Sequence, residues 1–347
     1  MKKYFRLIAV FLVTLSFIGL NISHVAGQSN ALAISPRLDL SLEPGNSYDG
    51  ELQVSNRNKT ESLTLNLSVV DFKAQDETGA PQLIKDSKEK TAWSLRDYIE
   101  LPQQVTIAPN ETVRVPIRVS MPSDIGAGSY YSAIEYAANN PQDEERVNIS
   151  AAGVTLVFVT VPGQVKQQMS LLQFGAFVPA KSGTTGSFKG LYFSDRPKVL
   201  AYRLKNDGNV AEEPKATIQV KNMSGKVVYE IKDANYQHQL ALRGQTRRFN
   251  VCINPENVTN TDAGLEVNSV VCGDTEKLTP GRYTAELAVT YGSNGNETRQ
   301  LTDTATFWYL PWWFLGVISV IIALIVGAGF YVWRRIESYR GRKTRRR

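Results

Sequence analysis

The run FLGVISVIIALIVGAGFYVW, Phe314 to Trp333, contains no charged residue. About 20 apolar residues wound as a helix match the ~30 Å hydrocarbon layer of a bilayer, so this run is expected to span a membrane. Behind it, RRIESYRGRKTRRR sets Arg334, Arg335, Arg340, Arg342, Lys343, Arg345, Arg346 and Arg347 against a single acid, Glu337. Such an excess beside a membrane helix stays on the cytoplasmic side. The expected topology is a single-pass cell-membrane protein with residues 334–347 as a basic cytoplasmic tail and everything before the helix extracellular.

The other end fits export. Lys2, Lys3 and Arg6 precede an apolar stretch from Leu7 to Leu20, too short to span a bilayer. This is the layout of a signal peptide, expected over residues 1–27 with cleavage after Val25-Ala26-Gly27. Ala31-Leu32-Ala33 offers a second small-x-small site, at residue 33. The formal net charge of +6 belongs to these two ends, because the stretch between them holds 28 basic and 32 acidic residues. Nucleic acid therefore drops out as an expected partner.

Only Cys252 and Cys272 are present, both on the exported side. Exported thiols usually pair, and a bridge closing a loop of about 20 residues would stabilise by roughly 3 kcal/mol.

Short alternating runs bounded by Gly, Pro and Asn fill the exterior, as strands do. In RLDLSL, Leu38, Leu40 and Leu42 fall on one side of an extended chain and Arg37, Asp39 and Ser41 on the other. Further strands are expected near Glu51 to Asn56, Leu63 to Phe72, Thr112 to Ser120, Ser129 to Ala137 and Val154 to Val161. Lys85 to Ile99 reads as a short helix or an irregular crossover. Landmarks then recur in order: LQVSN ending at Asn56 and YRLKN ending at Asn206; NETVRVPIRV and GQTRRFNVCI; GAGSYYSAIEYA and TPGRYTAELAVTYG. The expected fold is all-β, two tandem immunoglobulin-like sandwiches over residues 34–163 and 166–308. Tyr130 and Tyr283, each two residues after a Gly, have the position of a tyrosine corner.

Catalytic chemistry finds little to stand on. His24 leaves with the signal peptide and His238 stands alone in a polar segment, an expected solvated loop residue. Asp71, Asp76, Glu77, Asp97 and Asp143-Glu144-Glu145 read as solvating carboxylates in polar loops. No calcium-loop or zinc spacing occurs, so neither enzyme activity, a metal nor a cofactor is expected. The Asn-x-Ser/Thr triplets, among them Asn58, Asn66 and Asn222, follow from an Asn- and Thr-rich composition.

FWYLPWWF, Phe307 to Phe314, outlines a wall-sorting signal at Leu310-Pro311, but Trp313 and Phe314 stand where Thr and Gly are needed. No cleavage is expected. Phe307, Trp308, Tyr309, Trp312 and Trp313 instead suggest an aromatic belt at the outer interface, with Trp333 at the inner one, and a hinge between the last strand and the membrane; for Phe307 and Trp308, which continue the run from Thr302, the alternative is the core of the last strand.

PRLDLSLEPGNSYDGELQVSN, SLRDYIELPQQVTIAPNETVRVPIRVSMP, the Gly- and Tyr-rich strand after them and VFVTVPG resemble the WxL-interacting protein family of Gram-positive surfaces. The likeness extends to the layout of signal peptide, two sandwiches, one helix and basic tail. It implies a first domain that binds peptidoglycan and a second that binds a secreted or host protein, with no catalytic residues to carry over. Trp93-Ser94-Leu95 spells W-x-L by coincidence. The expected function is a non-catalytic, membrane-anchored cell-surface binding protein; the alternative is a spacer or chaperone-like assembly factor for exported proteins.

Overall fold

Alternation of apolar and polar side chains makes extended chain wherever one face can be buried, and in the computed structural model it does so almost throughout the exterior. The structure describes residues 32–86, 88–138, 151–179, 186–188, 192–262, 265–292 and 298–344. The expected signal peptide and Arg345 to Arg347 lie outside them.

The first half contains β1 (Leu32–Ile34), β2 (Arg37–Ser41), β3 (Ser47–Asn56), β4 (Leu63–Ala74), β5 (Pro81–Ile84), β6 (Ile99–Glu100), β7 (Gln104–Ile107), β8 (Thr112–Ser120), β9 (Gly128–Ala138) and β10 (Ala151–Val161). The second contains β11 (Met169–Val178), β12 (Ser187–Phe188), β13 (Tyr192–Phe193), β14 (Val199–Asn206), β15 (Lys215–Asn222), β16 (Val227–Ile231), β17 (Thr246–Cys252), β18 (Pro255–Asp262), β19 (Leu265–Cys272), β20 (Gly281–Tyr291) and β21 (Arg299–Tyr309). The chain ends in α1 (Trp312–Thr344). Every expected strand is present. Lys85 to Ile99 is the irregular crossover rather than a helix.

Each half is two sheets over one core, and the strand orders match. The first half runs β1-β3-β8-β6 against β2-β10-β9-β4-β5; the second runs β12-β11-β14-β17 against β13-β21-β20-β15-β16. In both, one early strand joins the sheet's last strand in parallel, β2 on β10 and β13 on β21. Leu52, Leu65, Val115, Ile134 and Val157 meet between the first pair of sheets, and Leu200, Ile218, Phe249, Leu287 and Phe307 between the second. Two cores of this kind, with one order of strands, are the structural form of the sequence repeat.

The landmark residues also repeat their bonding. Asn56 donates its amide to the carbonyls of Glu61, Ile107 and Ala108 and accepts from the Asn58 amide. Asn206 donates to Val210 and Ala241 and accepts from Gly208. Each thereby closes the loop after its strand with an asparagine that is 1% exposed or less, where an unpaired amide would be costly. The Tyr130 hydroxyl donates to the Gly126 carbonyl at 2.9 Å, and that of Tyr283 to the Thr279 carbonyl at 2.8 Å. Both are the tyrosine corners the spacing suggests.

Cys252 and Cys272 are bonded, with Cα atoms 5.0 Å apart. The bridge ties the ends of β17 and β19 and so staples the base of the β18–β19 hairpin, a two-stranded sheet of its own. Isolated hairpins are marginal in water, which gives the bridge its role.

The aromatic run needs correcting. Tyr309 is a core residue of the second half, 7% exposed, and Phe307 is wholly buried beside Phe193 and Tyr283. The register decides this: β21 pairs with β20 to its last residue, Tyr309 opposite Gly281. Trp312, Trp313 and Trp333 lie exposed on α1, and Trp308 is 36% exposed. Trp312–Glu337 has a mean hydropathy of 2.5 and no buried part, so by length and composition it is a candidate membrane span. Arg334 and Arg335 continue its helix, as do the backbones of Arg340, Arg342 and Lys343. Nor is the connection a free hinge. The Leu310 amide donates to the Phe193 carbonyl, and the Tyr192 hydroxyl donates to the Leu310 carbonyl, each at 2.9 Å.

Candidate binding groove between the halves

Turn residues of the two halves interlock. At the start of β9 the Ser129 amide donates to the Asn209 carbonyl at 3.0 Å, and the Ser129 hydroxyl accepts from the Ala211 amide at 2.9 Å. The Asn209 side chain donates to the Ala127 carbonyl and accepts from the Lys166 amide in the linker. Gly128 permits this approach, since a Cβ there would stand 2.8 Å from the Asn209 carbonyl oxygen.

A second lock lies at the β4–β5 turn. The Glu77 carbonyl accepts from the Arg248 amide at 2.6 Å, on the edge of β17. The Glu77 carboxylate pairs with Arg203 and stands 3.8 Å from Arg248. Gly79, in the left-handed region at φ 76°, lies against the Arg247 guanidinium. Glu77 is therefore no solvating loop acid; it ties the two halves together through charge-assisted bonds.

Between these locks is a third, apolar cluster. Phe72, Tyr131, Ala133 and Phe158 of the first half pack with Ala211 and Leu242 of the second, flanked by Trp93 and Leu240. The crossover loop is drawn onto it by Asp71, wholly buried in β4, another acid the sequence misplaces. Its carboxylate accepts from the Ser132 hydroxyl at 2.8 Å and the Thr91 amide at 3.0 Å and lies 3.6 Å from Arg96. The Ser132 oxygen in turn accepts from the Leu95 amide. The Tyr131 ring lies 5.4 Å from that of Trp93, tilted by 32°, and burial pushes its hydroxyl pKa upward.

Beside this cluster the halves leave a groove of about 230 Å³ lined by Arg37, Phe158, Thr160, Glu213, Lys215 and Leu240. It shares Glu213 and Lys215 with an adjoining depression of about 340 Å³ that reaches Lys232, Asp233 and His238. Arg37 lies 5.2 Å over the Phe158 ring, pairs with Asp39 and donates to the His238 carbonyl across the junction. His238 is the exposed loop residue its sequence suggests, with Nδ1 2.7 Å from Glu213. Among the described residues no strand pairs with the second edge of β2. An apolar floor, both signs of charge and an open strand edge can take an extended chain.

Other surfaces are engaged differently. On the outer face of β3 and β8, Arg114 lies 3.5 Å from Glu51, Arg118 3.4 Å from Asp49, and Ser47 bonds Ser120. Among the described residues no cluster of three metal-ligating side chains occurs. The sequence gives no sign of the groove because its walls, Arg37 and Lys215, are 178 positions apart. A partial signal exists in YYSAIEYA, whose near-continuous apolar reading fits a strand buried on both faces.

No family model matches this chain, and no curated protein does. Among solved structures it is similar to the class 5 fimbriae chaperone CfaA, at 12% identity over 79% of this chain and 98% of that one, with a TM-score of 0.36. The Pseudomonas aeruginosa CupB2 chaperone is 8% identical over 79% and 99%, TM-score 0.31. The E. coli chaperone DraB is 12% identical over 78% and 95%, TM-score 0.32. Scores of this size carry no argument about function.

Proposed function

We propose that this chain is a non-catalytic, single-pass membrane protein whose two immunoglobulin-type sandwiches hold an exported protein partner in the groove at their junction. The observation that carries the reading is the groove itself, held in shape by three separate locks and walled on one side by Arg37 of β2, which among the described residues is the last strand of its sheet. An extended segment of the partner would add to β2, its backbone bonding the strand and its side chains meeting Phe158, Leu240 and the charges of Arg37 and Lys215. A preformed groove keeps the ordering cost low. The basic residues that close α1 and follow it in the sequence support an external position for the sandwiches. This is the assembly-factor alternative made concrete. The wall-binding role implied by the family resemblance draws no support from the outer face of β3 and β8, where Arg114 faces Glu51 and Arg118 faces Asp49.

The test is a pull-down of full-length protein from native membranes. Arg37→Glu combined with Lys215→Glu should lower recovery of the partner at least tenfold, while Arg114→Glu on the opposite face should leave it unchanged. Equal recovery from all three, or wall fragments in place of a protein, would overturn the reading.

A further inference from the structure

At the end of the second half from which α1 leaves, three side chains form a row across the outer face of the sheet. Trp308 of β21 is directly opposite Arg282 of β20. Asn222 of β15 is opposite Tyr283, which brings Met223, in the turn that follows, beside Arg282. The Met223 sulfur stands 4.0 Å from where a Cβ on Gly281 would be. Trp308 is 36% exposed and Met223 73% exposed. Met223, Arg282 and Lys221 line a depression of about 280 Å³ with Gly225 and Thr284. Lys221 is paired with Glu286 at 2.6 Å, whereas among the described residues no carboxylate pairs with Arg282.

An indole and a thioether flanking an uncommitted guanidinium make an unusual solvent face for a soluble sheet. Farther up the same strands the outward positions are polar: Thr284 and Glu286 on β20, Thr306 and Thr304 on β21. The apolar and basic residues are thus confined to the end nearest the helix. That end cannot move far from the bilayer, because Leu310 is bonded on both sides to β13 and α1 starts two residues later. From Trp308 to Trp312 the chain spans at most about 13 Å at ~3.3 Å per extended residue, against a headgroup layer some 5–8 Å deep on each side of the hydrocarbon.

The geometry points to a lipid-docking face: Arg282 binds the phosphate of an anionic phospholipid in the leaflet that α1 enters, with Met223 and Trp308 seated among the headgroups beside it. The inference rests on α1 being a membrane helix. Arg suits the role because its planar fork matches phosphate oxygens two at a time, Trp favours the interface, and basic residues near a charged leaflet are attracted to it. Docking would tilt the exterior toward its β20–β21 face and set the direction in which the groove opens.

The experiment uses the full chain in nanodiscs of phosphatidylcholine with or without phosphatidylglycerol, each carrying a headgroup photocrosslinking lipid, with labelled peptides read by mass spectrometry. The label should reach the Met223 and Arg282 peptides in phosphatidylglycerol discs, fall at least fivefold with Arg282→Glu or Met223→Asp, and fall with added salt. Near-UV circular dichroism checks that each variant remains folded, and Arg282→Gln serves as the milder second variant. Label at Trp312 and Trp313 but none at Met223 or Arg282 would overturn the docking face while keeping the anchor. Release of the chain from native membranes by alkaline carbonate would overturn the anchor itself.

Discussion

Strands β9 and β20 hold the same place in their halves, each paired with the strand that carries its sheet's parallel partner, yet they are buried in different ways. On β20 the residues alternate strictly, with Tyr283, Ala285, Leu287, Val289 and Tyr291 inside and the rest toward solvent. On β9 all but Tyr130 and Ala138 are buried. Its outer face carries the apolar cluster that the crossover loop and the second half cover. One topology is thus used twice: the first half spends its outer face on holding the halves together, while the second keeps that face open down to the end from which α1 leaves.

The sharpest way to break this comparison is to shorten the outward side chains at matching positions. Tyr131→Ala removes a ring within 5.0 Å of Phe72 and 5.6 Å of Phe158 and should destabilise by about 3–5 kcal/mol, the usual cost of losing a buried aromatic. Thr284→Ala, at the corresponding place on β20, should stay within about 0.5 kcal/mol. Denaturant midpoints of the full chain in detergent measure both. Equal losses would mean that the two outer faces are alike. Tyr131→Phe should be neutral or stabilising, because the hydroxyl is buried without a partner among the described residues.

Next in size is the disulfide, which only the second half has. Replacing Cys252 and Cys272 by Ser should cost about 3 kcal/mol and raise hydrogen exchange in β18 and β19 while leaving β3 and β8 protected. Loss of protection in β3 would show instead that the halves unfold as one unit.

The tyrosine corners differ more finely. Tyr283 is 2% exposed, and its hydroxyl also accepts from the Thr279 amide at 2.7 Å; Tyr130 makes the single bond to Gly126. Tyr283→Phe should therefore cost about 1.5 kcal/mol and Tyr130→Phe about 0.5–1 kcal/mol, as thermal midpoints will report.

The smallest effect is one of pH. Burial raises the carboxyl pKa of Glu212 above its ordinary value of 4.5, against the opposing bond from the Gly292 amide. The protonated form is thus favoured in the folded state, and its contribution, complete below pH 4.5, is lost as pH rises through the folded pKa. Glu212→Gln should flatten this fall in stability between acid and neutral pH. An unchanged profile would place the pH dependence elsewhere.

Much of this architecture can be read from the sequence because it rests on local alternation and on two landmarks that serve themselves. Asn56 and Asn206 are recognisable because each closes the loop that immediately follows it. The candidate membrane helix is legible from length and composition alone. Glu77 and Asp71 are not legible, since a carboxylate in or near a turn looks the same whether it meets water or an arginine 126 residues away, as Glu77 does in Arg203. Tyr309 fails for another reason. FWYLPWWF is aromatic across both the end of a strand and the start of a helix, and only the register of β21 on β20 divides it.

The groove is the centre of this account, and a photocrosslinking residue placed there tests it most directly. Installed at Thr160 in the full-length protein in its native membrane, it should give one recurring adduct with an exported protein, absent when the same residue replaces Arg114 on the opposite face. An adduct of equal yield at both positions, or none at Thr160 in a folded protein, would contradict it.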